Sequence, residues 1–426
     1  MERGREVNET LTRQQAGLEA ERCLQCFDAP CTTACPTNIQ ILKFIAMLKS
    51  RNVRGAAEVV KTSNALANVC GKVCPEEIYC QAVCTRALQD SPIQIRELHY
   101  FATQYEWRNG YSLTVARPDS GRRVAVVGSG PAGLGCACEL AKFGHRVQVF
   151  DRDLPGGVPR KSIPAFRLSI AELDADVGFL QRFFTLSQCD VDGAELERLR
   201  REYDAVFLAI GLGKDRLLGI DGERLRGVLP VLDFLENTKG DQNRVTVTGD
   251  VVVVGGGNVS LDAAATAKRL GASSVTLLYR RSEREMKVWK SELEECKRQG
   301  VSFRLLTVPV AILGEGQVNS VRCRRTRLSE KCDPSGRPIP LEIGGTDFVL
   351  PADAVIVAIG QRVKSEWTAR FDRTEDGFLK VNEHFETSMP GVFAGGDLIV
   401  GEGTVVQSVA HGKHAAHAIH QYLSNA

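Results

Sequence analysis

Hydrophobic runs followed by glycines occur twice along the chain in the same arrangement. The first run covers 124–127 and the second covers 251–254, and a helix-forming stretch follows each set of glycines. Continuous apolar runs of this length are typical of strands buried on both faces of a parallel sheet. Two further apolar runs, 205–210 and 354–359, also lead into a glycine. Strands that alternate with helices predict open parallel sheets, with ligands at the carboxyl ends of the strands.

The first 117 residues have a different pattern, with many charges and cysteines and few strand-like runs. Short helices are predicted at 12–22, 39–48 and 56–61. Turn residues at 117–121 then mark a linker. The pattern therefore predicts a small helical domain ahead of the alternating strands and helices.

The first repeat carries the glycine pattern of a dinucleotide site. Residues 128–133 read Gly-Ser-Gly-Pro-Ala-Gly, directly after the predicted strand. Such glycines allow a tight turn and a close approach of pyrophosphate to the N-terminus of the next helix. Asp151 ends the following strand, 23 residues after Gly128, where an acid accepts a hydrogen bond from a ribose hydroxyl. We interpret this copy as an FAD site, with contacts at Gly128, Gly130, Pro131, Ala132, Gly133 and Asp151.

The second repeat has the same turn but a different end to its second strand. Ser260 takes the place of the third glycine, and two arginines replace the acid of the first repeat. Arginines at this point suit a ribose 2′-phosphate, which favours NADPH over NADH. The alternative is that they are solvated loop charges. The candidate contacts of this nicotinamide site are Gly255, Gly257, Asn258, Arg280, Arg281 and Lys287.

A strand-to-helix turn near the C-terminus adds a third feature of the flavin site. Residues 391–397 read Gly-Val-Phe-Ala-Gly-Gly-Asp. In flavoproteins with two dinucleotide domains, an acid at this turn lies at the ribityl chain of FAD, and the next helix directs its N-terminus at the flavin. The further cofactor-binding candidates are Gly157, Gly360, Gly396 and Asp397.

Eight of the 14 cysteines lie between Cys23 and Cys84, in two runs. The first run reads C-x2-C-x4-C-x3-C-P and the second reads C-x3-C-P-x4-C-x3-C. Thiolates at these separations suit cubane iron–sulfur clusters, and eight of them match two clusters. Structural zinc is the alternative, although zinc ligand pairs usually repeat C-x2-C.

Composition narrows the class of protein. Lys and Arg number 54 against 52 Asp and Glu, for a net charge of +2, which argues against a nucleic-acid partner. No apolar stretch is long enough for a membrane span, and the first 22 residues carry nine charges of both signs, unlike a secretory signal. We therefore expect a cytoplasmic, soluble enzyme.

The assembled motifs resemble the flavin half of dihydropyrimidine dehydrogenases, and above all the electron-input subunits of the two-chain bacterial enzymes. The resemblance runs from 22–31 to 393–397 and includes 130–133 and 163–168. The small subunits of glutamate synthase are similar in the flavin and nicotinamide motifs. Their second cysteine run is more compact, so the five residues between Cys74 and Cys80 favour the pyrimidine branch.

The resemblance implies two interleaved [4Fe–4S] clusters. In the family a glutamine completes the second cluster, and alignment through Leu98 and Phe101 puts His99 at that position. Imidazole can bind iron, and Cys70 and Glu97 are the alternatives. The resemblance also implies Arg167 and Thr404 at the flavin, and Arg280, Arg281 and Lys287 at the nicotinamide phosphates. The implied first cluster has Cys23, Cys26, Cys31 and Cys84, and the second has Cys35, Cys74, Cys80 and His99.

The fold expected from these features is α/β. It has two Rossmann-like dinucleotide-binding domains, glutathione-reductase-like, preceded by an α-helical iron–sulfur domain. The expected boundaries are 1–117 for the cluster domain, 118–225 and 376–426 for the two parts of the FAD domain, and 226–375 for the NAD(P)H domain.

The resemblance implies that the chain oxidises NADPH or NADH through FAD and the clusters. The implied partner is a catalytic subunit with the pyrimidine site, FMN and clusters of its own, which reduces uracil or thymine in a hetero-oligomer. Hydride transfer between cofactors needs no general acid or base, so no catalytic side chain is named. One alternative is electron delivery to glutamate synthase or ferredoxin. Another is a stand-alone flavin reductase with a zinc-binding interaction module.

Overall fold

The computed structural model describes residues 10–109, 118–239, 246–364 and 366–425. The chain divides into two compact units. The first unit is built from the chain up to Arg160, from Ala165–Leu212 and from Val363 onward. The second unit consists of Lys161–Pro164 and Gly213–Arg362. No helix in the described part is both long and apolar enough to cross a membrane.

Several helices begin at a side chain that caps their free backbone N–H groups. Thr12 and Gln15 form a capping box before the first helix, and Ser169 and Glu172 form another before the ninth. In chain order the helices are α1 (Arg13–Glu21), α2 (Pro30–Thr33), α3 (Ile41–Lys49), α4 (Val53–Ser63), α5 (Ala67–Val73), α6 (Ile95–Asn109), α7 (Pro131–Lys142), α8 (Val158–Lys161), α9 (Ile170–Leu180), α10 (Gly193–Glu202), α11 (Val231–Thr238), α12 (Asn258–Arg269), α13 (Lys290–Arg298), α14 (Asp397–Val400) and α15 (Val405–Asn425). Short 3-10 turns lie at Glu76–Ile78, Thr85–Leu88, Glu283–Glu285 and Glu366–Arg370.

The strands formed by the four apolar runs are buried almost throughout, as predicted, whereas many of the others are partly exposed. In chain order they are β1 (Arg123–Val127), β2 (Arg146–Asp151), β3 (Thr185–Gln188), β4 (Ala205–Leu208), β5 (Gly213–Asp215), β6 (Val228–Pro230), β7 (Asp250–Gly255), β8 (Ser274–Leu278), β9 (Ser302–Arg304), β10 (Thr307–Leu313), β11 (Ser320–Cys332), β12 (Pro338–Glu342), β13 (Phe348–Pro351), β14 (Ala354–Ala358), β15 (Gln361–Val363) and β16 (Val392–Ala394).

Each unit contains one parallel five-stranded sheet. The first unit has the order β16-β4-β1-β2-β3, and the second has β6-β14-β7-β8-β9. The second unit also has an antiparallel sheet in which β11 pairs with β10, β12 and β13. The predicted α/β class, with two sheets of the dinucleotide-binding type, is thereby confirmed.

The cysteine-rich helices share one core within the first unit. Phe44, Ile45 and Leu98 are almost completely buried in it, and Cys31 and Cys80 belong to the same cluster of side chains. The cysteines therefore lie among packed apolar residues, at the centre of the helical region.

The second unit begins and ends earlier than the expected boundaries at 226 and 375. Its start at Gly213 reflects the parallel bridges of Asp221 with Ala311 and of Arg226 with Gln317, which tie 213–226 to this unit. At the other end, Phe371 packs into the core of the first sheet. Turn signals in the sequence do not reveal which core a connecting segment joins.

Candidate cofactor sites

The first glycine turn is as tight as its sequence pattern requires. Gly128 has φ +102°, and a Cβ placed there would lie 2.4 Å from Ala209 O. A Cβ on Gly133 would lie 1.8 Å from Gly128 O, so no larger residue fits. Gly130 is the N-cap of α7, which begins at Pro131, and no side chain caps this helix. The first backbone N–H groups of α7 are therefore available to a ligand.

Asp151 lies beside this turn at the carboxyl end of β2. Its Oδ2 accepts hydrogen bonds from Ser129 N and Ser129 Oγ, both at 2.6 Å, and its Oδ1 accepts one from Asp153 N at 2.9 Å. The carboxylate is therefore held in a fixed orientation, where a ribose hydroxyl can compete for one oxygen.

Two distant segments reach the same turn. Gly156 N donates to Ser129 O at 2.9 Å, and a Cβ on Gly157 would lie 2.8 Å from Gly130 Cα. A Cβ on Gly396 would lie 2.9 Å from the Cβ of Ala132. The first unit thus brings the predicted flavin contacts of three segments into one cradle that only glycines fit.

Asp397 and Thr404 lie along the edge of this cradle. Asp397 accepts a hydrogen bond from Ser408 Oγ at 3.3 Å. Burial raises its pKa to about 6, and hydrogen bonds from Ser408 and the Gly403 backbone act in the opposite direction. Thr404 precedes α15, and Arg167 lies partly buried in the turn before α9. The flavin roles of these residues stay predictions.

The second glycine turn, between β7 and α12, is covered by a nearby segment. A Cβ on Gly256 would lie 2.2 Å from the Tyr279 ring. Lys287 N donates to Gly256 O at 3.1 Å, and Trp289 N donates to Asn258 Oδ1 at 2.9 Å. Residues 287–289 therefore run across the turn and use the Asn258 side chain as an anchor.

Further glycines of this predicted site lie at the carboxyl ends of β7 and β14, where the two strands approach closely. A Cβ on Gly255 would lie 2.3 Å from Ala358 O, at the end of β14. Gly257 is the N-cap of α12. Gly360 has φ +105° and accepts a hydrogen bond from Arg216 N at 2.9 Å.

The two arginines after β8 have different environments. Arg281 is 2% exposed, and its guanidinium donates to Pro338 O at 2.8 Å and to Asp333 Oδ2 at 2.7 Å. Arg280 and Lys287 are exposed. Partial desolvation lowers the pKa of Arg280, and the nearby charges of Arg281 and Arg337 add to this. The structure therefore leaves Arg280 as the arginine that presents its charge at the surface, while Arg281 is paired with an acid.

Four cysteines line one opening in the helical region. Cys23, Cys26, Cys31 and Cys84 surround a space of about 330 Å³ that is continuous with solvent, together with apolar side chains from α3. Burial raises the pKa of Cys23, and it raises the pKa of Cys31 to about 11. Such thiols stay protonated near neutral pH unless a bound metal offsets the effect of burial. The donor set and its apolar lining fit a [4Fe–4S] cluster.

A second group of cysteines lies deeper. Burial raises the pKa of Cys74 and Cys80 well above the ordinary range. Cys70, Cys80 and Cys35 raise the pKa of Cys74 further, so these thiols are close enough to influence one another. In the part of the chain that the structure describes, no three His, Cys, Asp or Glu side chains converge closely enough for a single metal ion.

The candidates for a fourth ligand of this second group differ in environment. His99 is buried, its Nε2 has no hydrogen-bond partner among the described residues, and burial lowers its pKa to about 4. A hydrogen bond with the Ala67 backbone opposes that shift. Burial raises the pKa of Cys70 to about 12. Glu97 accepts a hydrogen bond from Arg96 Nη2 at 3.3 Å. An orphaned neutral imidazole nitrogen suits a metal ligand.

The comparisons with known proteins decide the family. Residues 122–419 match the pyridine nucleotide-disulphide oxidoreductase family. The chain belongs to this family. Residues 1–111 match a second model, described as dihydropyrimidine dehydrogenase domain II, 4Fe-4S cluster. The cysteine region of this oxidoreductase is therefore an iron–sulfur domain rather than a zinc domain.

Several curated relatives match this oxidoreductase along nearly its whole length. It is 34% identical to the NAD-dependent dihydropyrimidine dehydrogenase subunit PreT of Escherichia coli K12, over 99% of this chain and 97% of the relative. It is also 34% identical to the glutamate synthase [NADPH] small chain of Halomonas elongata, over 98% and 93%. The NADP(+)-dependent formate dehydrogenase subunit beta of Moorella thermoacetica is 35% identical over 93% of this chain and 60% of the relative. The predicted resemblance is confirmed.

Solved structures show the same flavoprotein fold. FprA of Mycobacterium tuberculosis, in complex with NADPH, superposes with a TM-score of 0.61 at 21% identity, over 72% of this chain and 85% of that one. Thioredoxin reductase of Lactococcus lactis gives 0.56 at 18% identity, over 72% and 100%. These similarities show the fold alone. The family match and the full-length relatives make the chain an NAD(P)H-dependent FAD oxidoreductase with an iron–sulfur domain.

The first unit of this oxidoreductase also contains contacts that the sequence did not reveal. Asp176 on α9 accepts from Lys61 Nζ at 2.8 Å, from Asn68 Nδ2 at 3.1 Å and from Val69 N at 3.0 Å. The side chains of Lys61 and Asp176 are 2% and 0% exposed. Asp176 is one of three acids in α9, and the sequence does not show that it alone is buried against a lysine. The contact joins the cysteine-bearing helices to the flavin part of the unit.

Proposed function

We propose that this protein is the electron-input subunit of a two-subunit dihydropyrimidine dehydrogenase. In this proposal it oxidises NADPH and supplies electrons to a partner that reduces uracil or thymine to the 5,6-dihydro form. The observation that carries the proposal is that one compact unit holds both the flavin cradle and all eight clustered cysteines. The full-length similarity to PreT supports the pyrimidine branch.

FAD, when bound, accepts a hydride from the nicotinamide, and [4Fe–4S] clusters carry electrons singly. The chain's own residues bind and orient these groups. The glycine turn at 128–133 and the N-terminus of α7 receive the pyrophosphate, and Asp151 accepts from a ribose hydroxyl. Asp397 and Thr404 are proposed to bind the part of FAD nearer the flavin. No side chain is needed as a general acid or base in hydride transfer.

We propose that two clusters are present, with the ligand sets that the sequence implies. Cys23, Cys26, Cys31 and Cys84 fit the first because they line one opening. For the second, the orphaned Nε2 of His99 supports its assignment beside Cys35, Cys74 and Cys80. Reduced thiols for cluster assembly require a reducing compartment, so the proposal includes a cytoplasmic location.

The proposed nicotinamide cofactor is NADPH. Arg280 and Lys287 are exposed at the second glycine turn and supply positive charge for a 2′-phosphate. The pairing of Arg281 with Asp333 supports a different role for that residue, which is to hold the end of β8 in place.

A second candidate is delivery of electrons to a glutamate synthase large subunit. The similarity to the Halomonas elongata small chain, equal in identity to that of PreT, favours keeping this candidate. The two differ only in the partner, since both use the same cofactor-binding residues. A ferredoxin acceptor is the remaining alternative.

The test is anaerobic purification followed by assays of iron, acid-labile sulfide and flavin, and then titration with NADPH and NADH. We expect about eight irons and one FAD per chain. Co-expression with a candidate pyrimidine-reducing subunit should give NADPH-dependent formation of dihydrouracil. Reduction of 2-oxoglutarate with glutamine by a co-purifying partner would favour glutamate synthase instead.

The ligand assignment is tested on the same preparations. His99→Ala should remove about half of the iron or change the EPR spectrum of one cluster, whereas Cys70→Ala should leave both unchanged. The opposite result, with the cluster lost in Cys70→Ala and kept in His99→Ala, would assign the ligand to Cys70.

A further inference from the structure

A tyrosine in the second cysteine run contacts the segment assigned to the flavin. Tyr79 lies directly before Cys80, in the loop that follows α5 and Cys74. Its hydroxyl lies 3.1 Å from the Thr404 Oγ1, across 325 residues of sequence. The loop that carries two proposed ligands of the second cluster is therefore joined to the edge of the flavin cradle by one pair of hydroxyls.

The Thr404 hydroxyl is oriented from its other side. Gln407 N donates to Thr404 Oγ1 at 3.2 Å, and the same hydroxyl lies 3.2 Å from Gln407 Oε1. Either hydroxyl of the Tyr79–Thr404 pair can be the donor, and the contacts with Gln407 limit how far the Thr404 hydroxyl can rotate. The Thr404 hydroxyl is thus held in place by Gln407 as well as by Tyr79.

α15, the helix that follows Thr404, makes a second contact near another proposed cluster ligand. Lys413 on α15 donates to Thr37 O at 3.2 Å and to Ser63 O at 3.4 Å. Thr37 follows Cys35 by two residues. The contact of Tyr79 with Thr404, just before α15, and the contact of Lys413 with Thr37 O each lie within two residues of a cysteine of the second group. This C-terminal segment therefore links that group to the flavin cradle.

We infer that Tyr79 is a positioning residue for electron transfer between the flavin and the second cluster. Its hydroxyl holds the Cys74–Cys80 loop against the start of α15, and it acts through Cys80 and Thr404. Transfer between two redox centres slows steeply as their separation grows, so a loop that can move away lowers the rate. The inference rests on the proposed function, because it requires both groups to be bound.

The test uses the intact holoprotein and Tyr79→Phe, which removes only the hydroxyl. The matched control is Tyr203→Phe, whose hydroxyl donates to Gln148 Oε1 at 2.6 Å elsewhere in the same unit. Rapid mixing with NADPH would follow flavin bleaching and cluster reduction as separate phases. Amide hydrogen exchange of the peptide 74–84 in the oxidised protein gives a second readout, independent of turnover.

We expect Tyr79→Phe to slow the cluster phase and to speed exchange of the peptide, each by about threefold to tenfold, with flavin bleaching unchanged. Because Thr404 is itself proposed to bind FAD, its variants are compared by hydrogen exchange alone. Thr404→Val should speed exchange of the peptide as Tyr79→Phe does, Thr404→Ser should leave it as in wild type, and the double variant Tyr79→Phe/Thr404→Val should exchange no faster than either single one. Tyr203→Phe should change neither readout.

Two results would overturn the inference. One is an unchanged cluster phase and unchanged exchange in Tyr79→Phe. The other is full additivity of the two single variants. A wild-type protein whose flavin bleaches while its clusters stay oxidised would instead count against the proposed function, and the exchange comparison would still decide whether the hydroxyl holds the loop.

Discussion

The two glycine turns of this protein are built alike but are enclosed differently. The turn at 128–133 is met by Gly157 and also by Gly396, which comes from the far end of the chain. The turn at 255–260 meets the end of β14 at Ala358, is crossed by the nearby segment 287–289 and opens beside an exposed arginine. A site enclosed by distant segments suits a cofactor that stays bound, and a site with a local cover suits one that enters and leaves. The same local motif thus serves two kinds of ligand.

The strongest test of this comparison is a methyl group inside the first turn. Gly133→Ala places a Cβ against the carbonyl of Gly128, at a distance that no relaxation of a side chain relieves. We expect loss of bound FAD and a drop in stability of several kcal/mol, roughly 3 or more. Flavin content and thermal unfolding measure both effects.

The matched control for this variant is Gly178→Ala on α9. Gly178 has open space around its Cβ position and helical surroundings. Alanine there should leave FAD content unchanged and stability equal or slightly higher, by about 0.5–1 kcal/mol. Normal FAD binding in Gly133→Ala would contradict the role assigned to the first turn.

The second turn can be tested by separating its two arginines. Arg280→Ala should weaken NADPH binding by about 10- to 100-fold, with little change for NADH, because a charge-assisted contact to the 2′-phosphate is lost. FAD content should stay normal, since Arg280 lies in the other unit. Dissociation constants for both nucleotides provide the measurement.

Arg281→Ala should behave differently. Its removal loses the packing of a buried side chain and its hydrogen bonds to Pro338 O and Asp333, so we expect a loss of stability of about 1–3 kcal/mol and a smaller change in nucleotide preference. If Arg281→Ala abolished the preference for NADPH while Arg280→Ala kept it, the roles of the two residues would be reversed.

A smaller effect is expected at Asp397, and it depends on pH. Its pKa of about 6 in the folded protein lies above the ordinary aspartate value, so the ionised carboxylate destabilises the fold at pH values above about 6. This penalty shrinks as the pH falls from 6 toward the ordinary aspartate value of 3.8, and it is absent below that value, where the carboxyl is protonated in both states. In FAD-depleted protein, Asp397→Asn should therefore be more stable than wild type at pH 8 by about 2–3 kcal/mol.

Thermal unfolding of both FAD-depleted proteins from pH 4 to 8 measures this difference. The curves should converge at low pH. A constant difference across the whole range would show that Asp397 does not titrate as its burial implies, and would point to lost hydrogen bonds to Ser408 instead.

The local parts of both sites could be predicted from the sequence. A strand, a glycine turn and a helix are adjacent in the chain, so the spacing at 128–133 and the acid at 151 were sufficient. The enclosure of the first turn could not be predicted, because Gly396 approaches Ala132 from more than 260 residues away. The exact partition at 213 and 362 also depends on which core each connecting segment joins.

The environment of charged residues was equally hidden. Arg280 and Arg281 are adjacent residues of the same type. The sequence does not show that Arg280 is exposed and that Arg281 is paired with Asp333. The hydroxyl pair of Tyr79 and Thr404 depends on two loops that the sequence places in separate regions. Patterns show which chemistry is present, and packing decides which side chains are available for it.

The buried carboxylate of Asp176 bears on whether the iron–sulfur region can be moved to another protein. Its contacts with Lys61, Asn68 and Val69 complete helices of the first 109 residues from a helix that begins at Ile170. A fragment that stops at the linker would leave a buried lysine and a backbone N–H without their acceptor. The cysteines of this region resemble those of a separate ferredoxin, but its buried polar groups are satisfied only after α9 has been synthesised. We therefore expect the region to complete its folding together with the flavin part of the chain.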